Sequence, residues 1–135
     1  MAEPGSKDLF LESLDRCTAS KDFIPAFYSR FLLSSEEIML KFKHTDFDKQ
    51  YKMLERSLRL IAGATSGEPS ALRELKERAE SHDRYHLNIK KDMYELWKAA
   101  VLQTAEEYDP EWSDTVRHAW EKILDLAINQ MVKSY

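Results

Sequence analysis

Residues 93–131 read MYELWKAAVLQTAEEYDPEWSDTVRHAWEKILDLAINQM, with apolar side chains recurring every three or four positions on both sides of Asp109–Pro110. This spacing is the period of an α-helix with one buried face, and a half-buried strand would alternate instead. The repeating positions are Met93, Trp97, Ala100 or Val101, Thr104 and Tyr108, then Trp112, Val116, Ala119 or Trp120, Ile123, Ala127 and Met131. The stretch therefore predicts two long helices, about 89–108 and 110–132, packed as an antiparallel pair.

The composition favours helices throughout the chain. Among the 135 residues, 16 leucines and 12 alanines outnumber three valines and six isoleucines, and there are only three glycines and four prolines. Leucine and alanine are strong helix formers, whereas strands prefer β-branched residues. An all-α fold is expected, in a chain of the length of one domain.

Upstream of the long pair, the pattern predicts five shorter helices. Their approximate ranges are 6–19, 21–33, 35–41, 46–62 and 69–82. Capping-box patterns at Ser34–Glu37 and Thr45–Asp48 are typical helix starts. Pro69 and Pro110 each fit the first position of a helix, and Gly63 to Gly67 bracket a flexible-looking connection.

Charge and cysteine content exclude several classes of protein. The net charge is −4 with no basic block, so the footprint of a nucleic-acid-binding protein is missing. A single cysteine, Cys17, excludes an internal disulfide and a cysteine-based zinc site. No apolar run reaches the roughly 18 residues that span a bilayer, and the first twenty residues are too polar for a signal peptide. We expect a cytoplasmic protein without membrane contact.

The chain has four histidines, His44, His82, His86 and His118. His82 and His86 are four apart and would share one face of a continuous helix. A zinc site would need a further ligand, so coincidence is the simpler explanation of the pair. A histidine at a helix end, such as His82, is also typical of a C-terminal cap.

Two other polar residues interrupt apolar faces. Tyr28 follows Phe27 in the second helix, and the simplest interpretation is that both belong to an aromatic stripe buried in the core. A buried tyrosine hydroxyl needs a hydrogen-bond partner, however, and a ligand in a cavity would supply one. Gln50 lies at the start of an apolar helix face that also carries Leu54. Its amide is either exposed to solvent at the edge of that face or hydrogen-bonded inside a binding site.

Taken in order, these residues resemble bacterial single-domain globins and the globin domain of flavohaemoglobins. The segments that carry the resemblance are Phe27-Tyr28, Phe42, Gln50 with Leu54, Leu75-x-x-x-Ala79-x-x-His82, Leu87-Asn-Ile89-x-x-x-x-Tyr94-x-x-Trp97, and Trp120. The resemblance covers nearly the whole chain. It implies a globin fold of about seven helices around a haem pocket, with residues 1–135 as a single globin domain.

The resemblance also implies the roles of seven side chains around haem b (iron protoporphyrin IX). His82 would be the proximal iron ligand, Phe42 would stack on the porphyrin, Tyr28 and Gln50 would be distal donors, Leu54 an apolar wall, and Tyr94 and Trp97 would line the proximal side. A ligating imidazole needs an acceptor for its second nitrogen, and we expect a main-chain carbonyl one turn earlier in the same helix.

The sequence departs from the family pattern in three places. Tyr94 lies twelve residues after His82 rather than about ten, which leaves His86 as the alternative ligand. The short third helix lacks the proline often found there. No acidic residue follows Asp125, so the tyrosine–glutamate support of the proximal histidine in flavohaemoglobins is not evident.

The resemblance favours a haem protein that binds oxygen or another diatomic gas, NO or CO, for example in oxygen transport or storage. One alternative is a nitric-oxide dioxygenase working with a separate reductase. Others are a gas sensor, which usually has a fused output domain, and a haem-free regulatory module. Both a monomer and a homodimer are compatible with the sequence.

Overall fold

The computed structural model describes residues 5–83 and 86–133, and these ranges contain seven α-helices and no β-strand. The helices are α1 (Ser6–Thr18), α2 (Phe23–Leu33), α3 (Glu36–Lys41), α4 (Phe47–Thr65), α5 (Pro69–Ser81), α6 (Lys91–Tyr108) and α7 (Asp114–Lys133). The predicted all-α architecture is confirmed. None of the described helices is both long and apolar enough to cross a bilayer.

Helices α3 and α4 begin one residue later than the patterns Ser34–Glu37 and Thr45–Asp48 predict. The Ser35 hydroxyl caps α3 by accepting from the backbone N–H of Ile38 at 3.4 Å. The Asp46 carboxylate caps α4 by accepting from two backbone N–H groups of its first turn, at 3.1 and 3.4 Å. Both caps have extended backbone angles, as N-caps require, and each lies directly after the residue that we expected to cap.

The expected proline start of the last helix is wrong, because α7 begins four residues after Pro110. The carboxylate of Asp109 accepts from the backbone N–H of Glu111 at 2.8 Å and so forms a turn before the helix. The Ser113 hydroxyl then caps α7 by accepting from the backbone N–H of Val116 at 3.2 Å. A side-chain turn and a serine cap therefore displace the helix start.

Gly63 lies inside α4, not in the connection where we expected it. A Cβ atom there would lie 2.7 Å from Oε2 of Glu68 and 3.3 Å from Cβ of Ala71, so glycine lets the start of α5 approach α4. Gly67 has the left-handed φ of +83° that favours glycine, and it reverses the chain between the two helices.

Aromatic pairs join helices that are far apart along the chain. Phe10 of α1 packs on Trp120 of α7 with ring centroids 4.6 Å apart. Phe27 of α2 meets Trp97 of α6 edge-on at 6.5 Å. Helices α6 and α7 are in contact, as the sequence predicted. This packing leaves a space bordered by α2, α3, α4, α5, α6 and α7.

A buried polar cluster joins α1 to the start of α7, and we call its members, Ser13, Arg16, Asp109 and Trp120, the Asp109 centre. Ser13 Oγ donates to Oδ2 of Asp109 at 2.5 Å and accepts from the Trp120 indole at 2.9 Å. Arg16 donates to both carboxylate oxygens, at 2.6 and 3.0 Å. Burial alone would raise the pKa of Asp109, but these hydrogen bonds outweigh it and hold that pKa below its usual range.

Candidate functional site

The main cavity of the molecule encloses about 1020 Å³, including the part open to solvent. Its lining is mostly aliphatic and aromatic, which is typical of small-molecule and cofactor sites. The seven side chains singled out from the sequence all line it: Tyr28, Phe42, Gln50, Leu54, His82, Tyr94 and Trp97. They come from three helices, α2, α4 and α6, and from the residues that cap the C-terminal ends of α3 and α5.

His82 lies at the C-terminal cap of α5 with its ring on the cavity. Its Nδ1 is 2.7 Å from the main-chain oxygen of Arg78, one turn earlier, and 2.9 Å from Oγ of Ser81. Since a carbonyl only accepts, Nδ1 carries the proton and Nε2 keeps its lone pair. Burial lowers the pKa of His82, which favours the neutral imidazole.

His86 lies apart from the cavity. It is exposed, it is absent from the lining, and its Nδ1 is 2.7 Å from Oδ1 of Asp83. The chain turns between α5 and α6 through Asn88, whose φ of 54° is left-handed, and the backbone N–H of Ile89 donates to the His82 carbonyl at 3.0 Å. This turn accommodates the twelve-residue spacing from His82 to Tyr94.

Tyr28 lies within an aromatic cluster on a different wall of the cavity. Only 3% of its surface is exposed, and its ring centroid is 5.9 Å from Phe42 and 5.4 Å from Tyr51. Burial raises the pKa of Tyr28 to about 12, and a hydrogen bond with the Gln50 side chain opposes the rise. The phenol therefore stays protonated at neutral pH and remains a hydrogen-bond donor.

Tyr94 and Trp97 line the cavity from α6. Burial raises the pKa of Tyr94 to about 12, and its hydroxyl has no hydrogen-bond partner among the described residues. Asp125, the last acidic residue of the chain, pairs with Lys98 at 2.7 Å. Among the described residues, no acid from α7 supports Tyr94.

Two charged residues of the cavity lining escaped the sequence analysis, Arg78 and Lys41. The Nε atom of Arg78 is buried and has no hydrogen-bond partner among the residues that the structure describes. Lys41 donates from Nζ to the Leu87 carbonyl at 3.0 Å. Residues four apart share a helix face, so the spacing from Arg78 to His82 was a usable signal for the arginine. Lys41 carries no such signal, because only the fold brings it to the cavity.

Comparison with known proteins agrees with the fold and the cavity. A family model described as Globin matches residues 25–131, while no curated protein matches the chain. A crystal structure of a Pseudomonas aeruginosa PAO1 protein, described as structurally highly homologous to a human haemoglobin, is similar with a TM-score of 0.92 and 30% identity. The similarity covers 97% of this chain and 98% of that one. The chain therefore belongs to the globin family, which implies a haem cofactor and the binding of a diatomic gas.

Proposed function

We propose that this globin binds haem b through His82 and holds oxygen, NO or CO beside Tyr28 and Gln50. The observation that carries the proposal is the state of the imidazole. Among the described residues that line the cavity, His82 is the only histidine, and its Nδ1 is occupied by the Arg78 carbonyl. Its other nitrogen therefore retains the lone pair that a metal ion requires.

The other cavity residues fit a porphyrin. A flat apolar cofactor needs aromatic and aliphatic walls, which Phe42, Leu54 and Trp97 supply. Arg78 also lines the cavity, and its Nε, which has no hydrogen-bond partner within residues 5–83 and 86–133, suits a ligand that carries a hydrogen-bond acceptor. Both the apolar walls and the polar donors support the same occupant.

When bound, haem iron supplies the metal centre at which a diatomic gas is held. The protein's own contribution would begin with His82, whose Nε2 lone pair would hold the metal. The Arg78 carbonyl keeps the proton on Nδ1 and so fixes the ring's tautomer and orientation. This bond also makes the imidazole a stronger donor.

Tyr28 and Gln50 would control how long the gas stays. A gas ligand that gains negative charge on binding is stabilised by a donated hydrogen bond, worth about 1.5–3 kcal/mol for a charged partner. With its pKa near 12, the Tyr28 hydroxyl keeps its proton at neutral pH. We assign Tyr28 as the main donor and Gln50 as the secondary one, which gives tight oxygen binding.

The test is optical titration of the haem-free protein with hemin, comparing wild type, His82→Ala and His86→Ala. Wild type and His86→Ala should give matching ferric, ferrous and carbon-monoxide spectra, because His86 lies outside the cavity. His82→Ala should lose the histidine-ligated spectrum, and added imidazole should restore it in a chain whose helix content by circular dichroism is unchanged. A wild-type spectrum in His82→Ala, or its loss in His86→Ala, would overturn the ligand assignment.

A further inference from the structure

A second cleft lies beside the main cavity. It encloses about 490 Å³, including the part open to solvent, between the end of α1, the start of α2 and the first half of α4. Its lining includes Thr18, Ser20, Ile24, Pro25, Tyr51 and Glu55. None of the described residues lines both spaces, so side chains separate the second cleft from the main cavity.

Helices α2 and α4 each contribute to both sides of this partition. On α2, Ile24 lines the second cleft, and Tyr28, one turn later, lines the main cavity. On α4, the neighbours Tyr51 and Gln50 divide in the same way. The rings of Tyr28 and Tyr51 are in contact, with centroids 5.4 Å apart and planes inclined by 36°. At this point a pair of tyrosine rings therefore separates the two spaces.

The two rings differ in their freedom to move. Tyr28 is only 3% exposed, and a hydrogen bond with the Gln50 side chain restrains it. Tyr51 is half-buried, and the second cleft gives its ring empty space to rotate into. Exposed side chains change rotamer within picoseconds to nanoseconds. Of the two rings, that of Tyr51 is the one that can move aside.

We infer that the ring of Tyr51 is a gate through which a diatomic gas passes between the second cleft and the space beside Tyr28. The inference rests on the proposed function. A cofactor that fills the main cavity takes up the space open to solvent there, so a gas must pass between side chains to reach Tyr28. A molecule of two atoms needs only a brief opening, which rotation of one ring supplies.

The experiment measures carbon monoxide on the haem-loaded protein, with association followed by flash photolysis and dissociation by displacement with NO. Tyr51→Ala should raise both rate constants about tenfold, which corresponds to about 1.4 kcal/mol less on the barrier. The Kd for carbon monoxide should stay at the wild-type value, because a barrier on the path is crossed in both directions. A disturbed Tyr28 hydroxyl would instead change the dissociation rate and therefore the Kd.

Two further substitutions vary the size of the gate. Tyr51→Trp introduces a larger ring and should lower both rate constants by the same factor. This variant also decides the matter if Tyr51→Ala fails to fold. Tyr51→Phe keeps the ring and should keep both rate constants at their wild-type values.

Phe47→Ala is the matched control. The Phe47 ring is half-buried and packs 5.7 Å from Tyr28 and 5.9 Å from Tyr51, but it lines neither the main cavity nor the second cleft. Urea unfolding of the haem-free chain should show similar losses of stability in Phe47→Ala and Tyr51→Ala, since both remove a ring from one aromatic cluster. Only Tyr51→Ala should accelerate the association of carbon monoxide.

Unchanged rate constants in the Tyr51 variants would overturn the inference, because the gas would then enter by another route. Equal acceleration in Phe47→Ala would also overturn it, since loosening of the cluster would be responsible. So would a changed Kd at a wild-type association rate. These outcomes leave the proposed function standing, because each is measured with haem bound. If wild type binds no haem, the proposed function fails and this inference fails with it.

Discussion

Two regions of this globin bury polar side chains, and they differ in how completely those side chains are paired. In the Asp109 centre, both carboxylate oxygens accept hydrogen bonds, and the Ser13 hydroxyl both donates and accepts. Beside the cavity, the buried Nε of Arg78 has no hydrogen-bond partner among the described residues.

The difference indicates what each region does. Buried polar groups in native proteins are nearly always hydrogen-bonded, because an unmade bond costs free energy. A saturated cluster such as the Asp109 centre joins parts of the fold, here α1 and the turn before α7. A buried polar group that lacks a hydrogen-bond partner beside a cavity is typical of a binding site. Substitutions in the two regions should therefore have separable effects on stability and on ligand binding.

The largest effect is expected from Asp109→Ala. Removing this carboxylate leaves the partly buried Arg16 and Ser13 without their acceptor, which should lower the free energy of unfolding by about 3 kcal/mol. Urea unfolding of the haem-free protein measures the change. The oxygen dissociation rate of the folded haem protein should stay at the wild-type value, because no member of the Asp109 centre lines the cavity.

Glu111→Ala is the control for this prediction. Glu111 also approaches Arg16, at 3.5 Å, but its side chain is 72% exposed. Exposed ion pairs contribute at most about 1 kcal/mol. Equal losses of stability in the two variants would contradict the structural role assigned to Asp109.

The second-largest effect is expected at the cavity, on the rate of oxygen dissociation. Under the proposed function, Tyr28→Phe should accelerate oxygen dissociation tenfold or more, because the main donor to the gas is lost. The free energy of unfolding should change little, since the ring and its aromatic contacts remain. Stopped-flow displacement of oxygen by carbon monoxide measures the rate.

Tyr51→Phe supplies the matched variant, because Tyr51 packs 5.4 Å from Tyr28 but does not line the main cavity. It should leave the oxygen dissociation rate unchanged, and Gln50→Leu should change that rate less than Tyr28→Phe does. An unaltered rate in Tyr28→Phe would refute its assignment as the main donor.

The smallest effect is a pH dependence of the stability that the Asp109 centre contributes. The pKa of Asp109 lies below its ordinary value of 3.8 in the folded chain, because hydrogen bonds from Arg16 and Ser13 favour the carboxylate. Its contribution to stability is therefore complete above the ordinary pKa and is lost as the pH falls through the folded value. The stability difference between wild type and Asp109→Asn should narrow below about pH 4. Unfolding curves across acidic pH test this, and a constant difference would contradict it.

Sequence patterns predicted the helices well and their starts less well. Periodicity located the two long C-terminal helices, because each buries one face that repeats along the chain, and helix-start and break signals located the five shorter ones. The starts of α3 and α4 were off by one residue, since neighbouring residues such as Ser34 and Ser35 both can cap and only the backbone angles distinguish them. Pro110 suggested a helix start, but the Asp109 carboxylate forms a turn there instead.

The sequence by itself indicated the helical class and the resemblance to globins, because those features follow from residue type and local spacing. The resemblance in turn implied seven site residues, and all seven line the cavity. Only the tertiary structure decided that Asp109 is a buried junction, since its partner residues Ser13 and Arg16 lie 96 and 93 positions away. It also separated His82, on the cavity, from His86, outside it. The physical reason is that hydrogen-bond pairing and burial depend on which distant segments meet, and the order of residues along one helix does not specify that meeting.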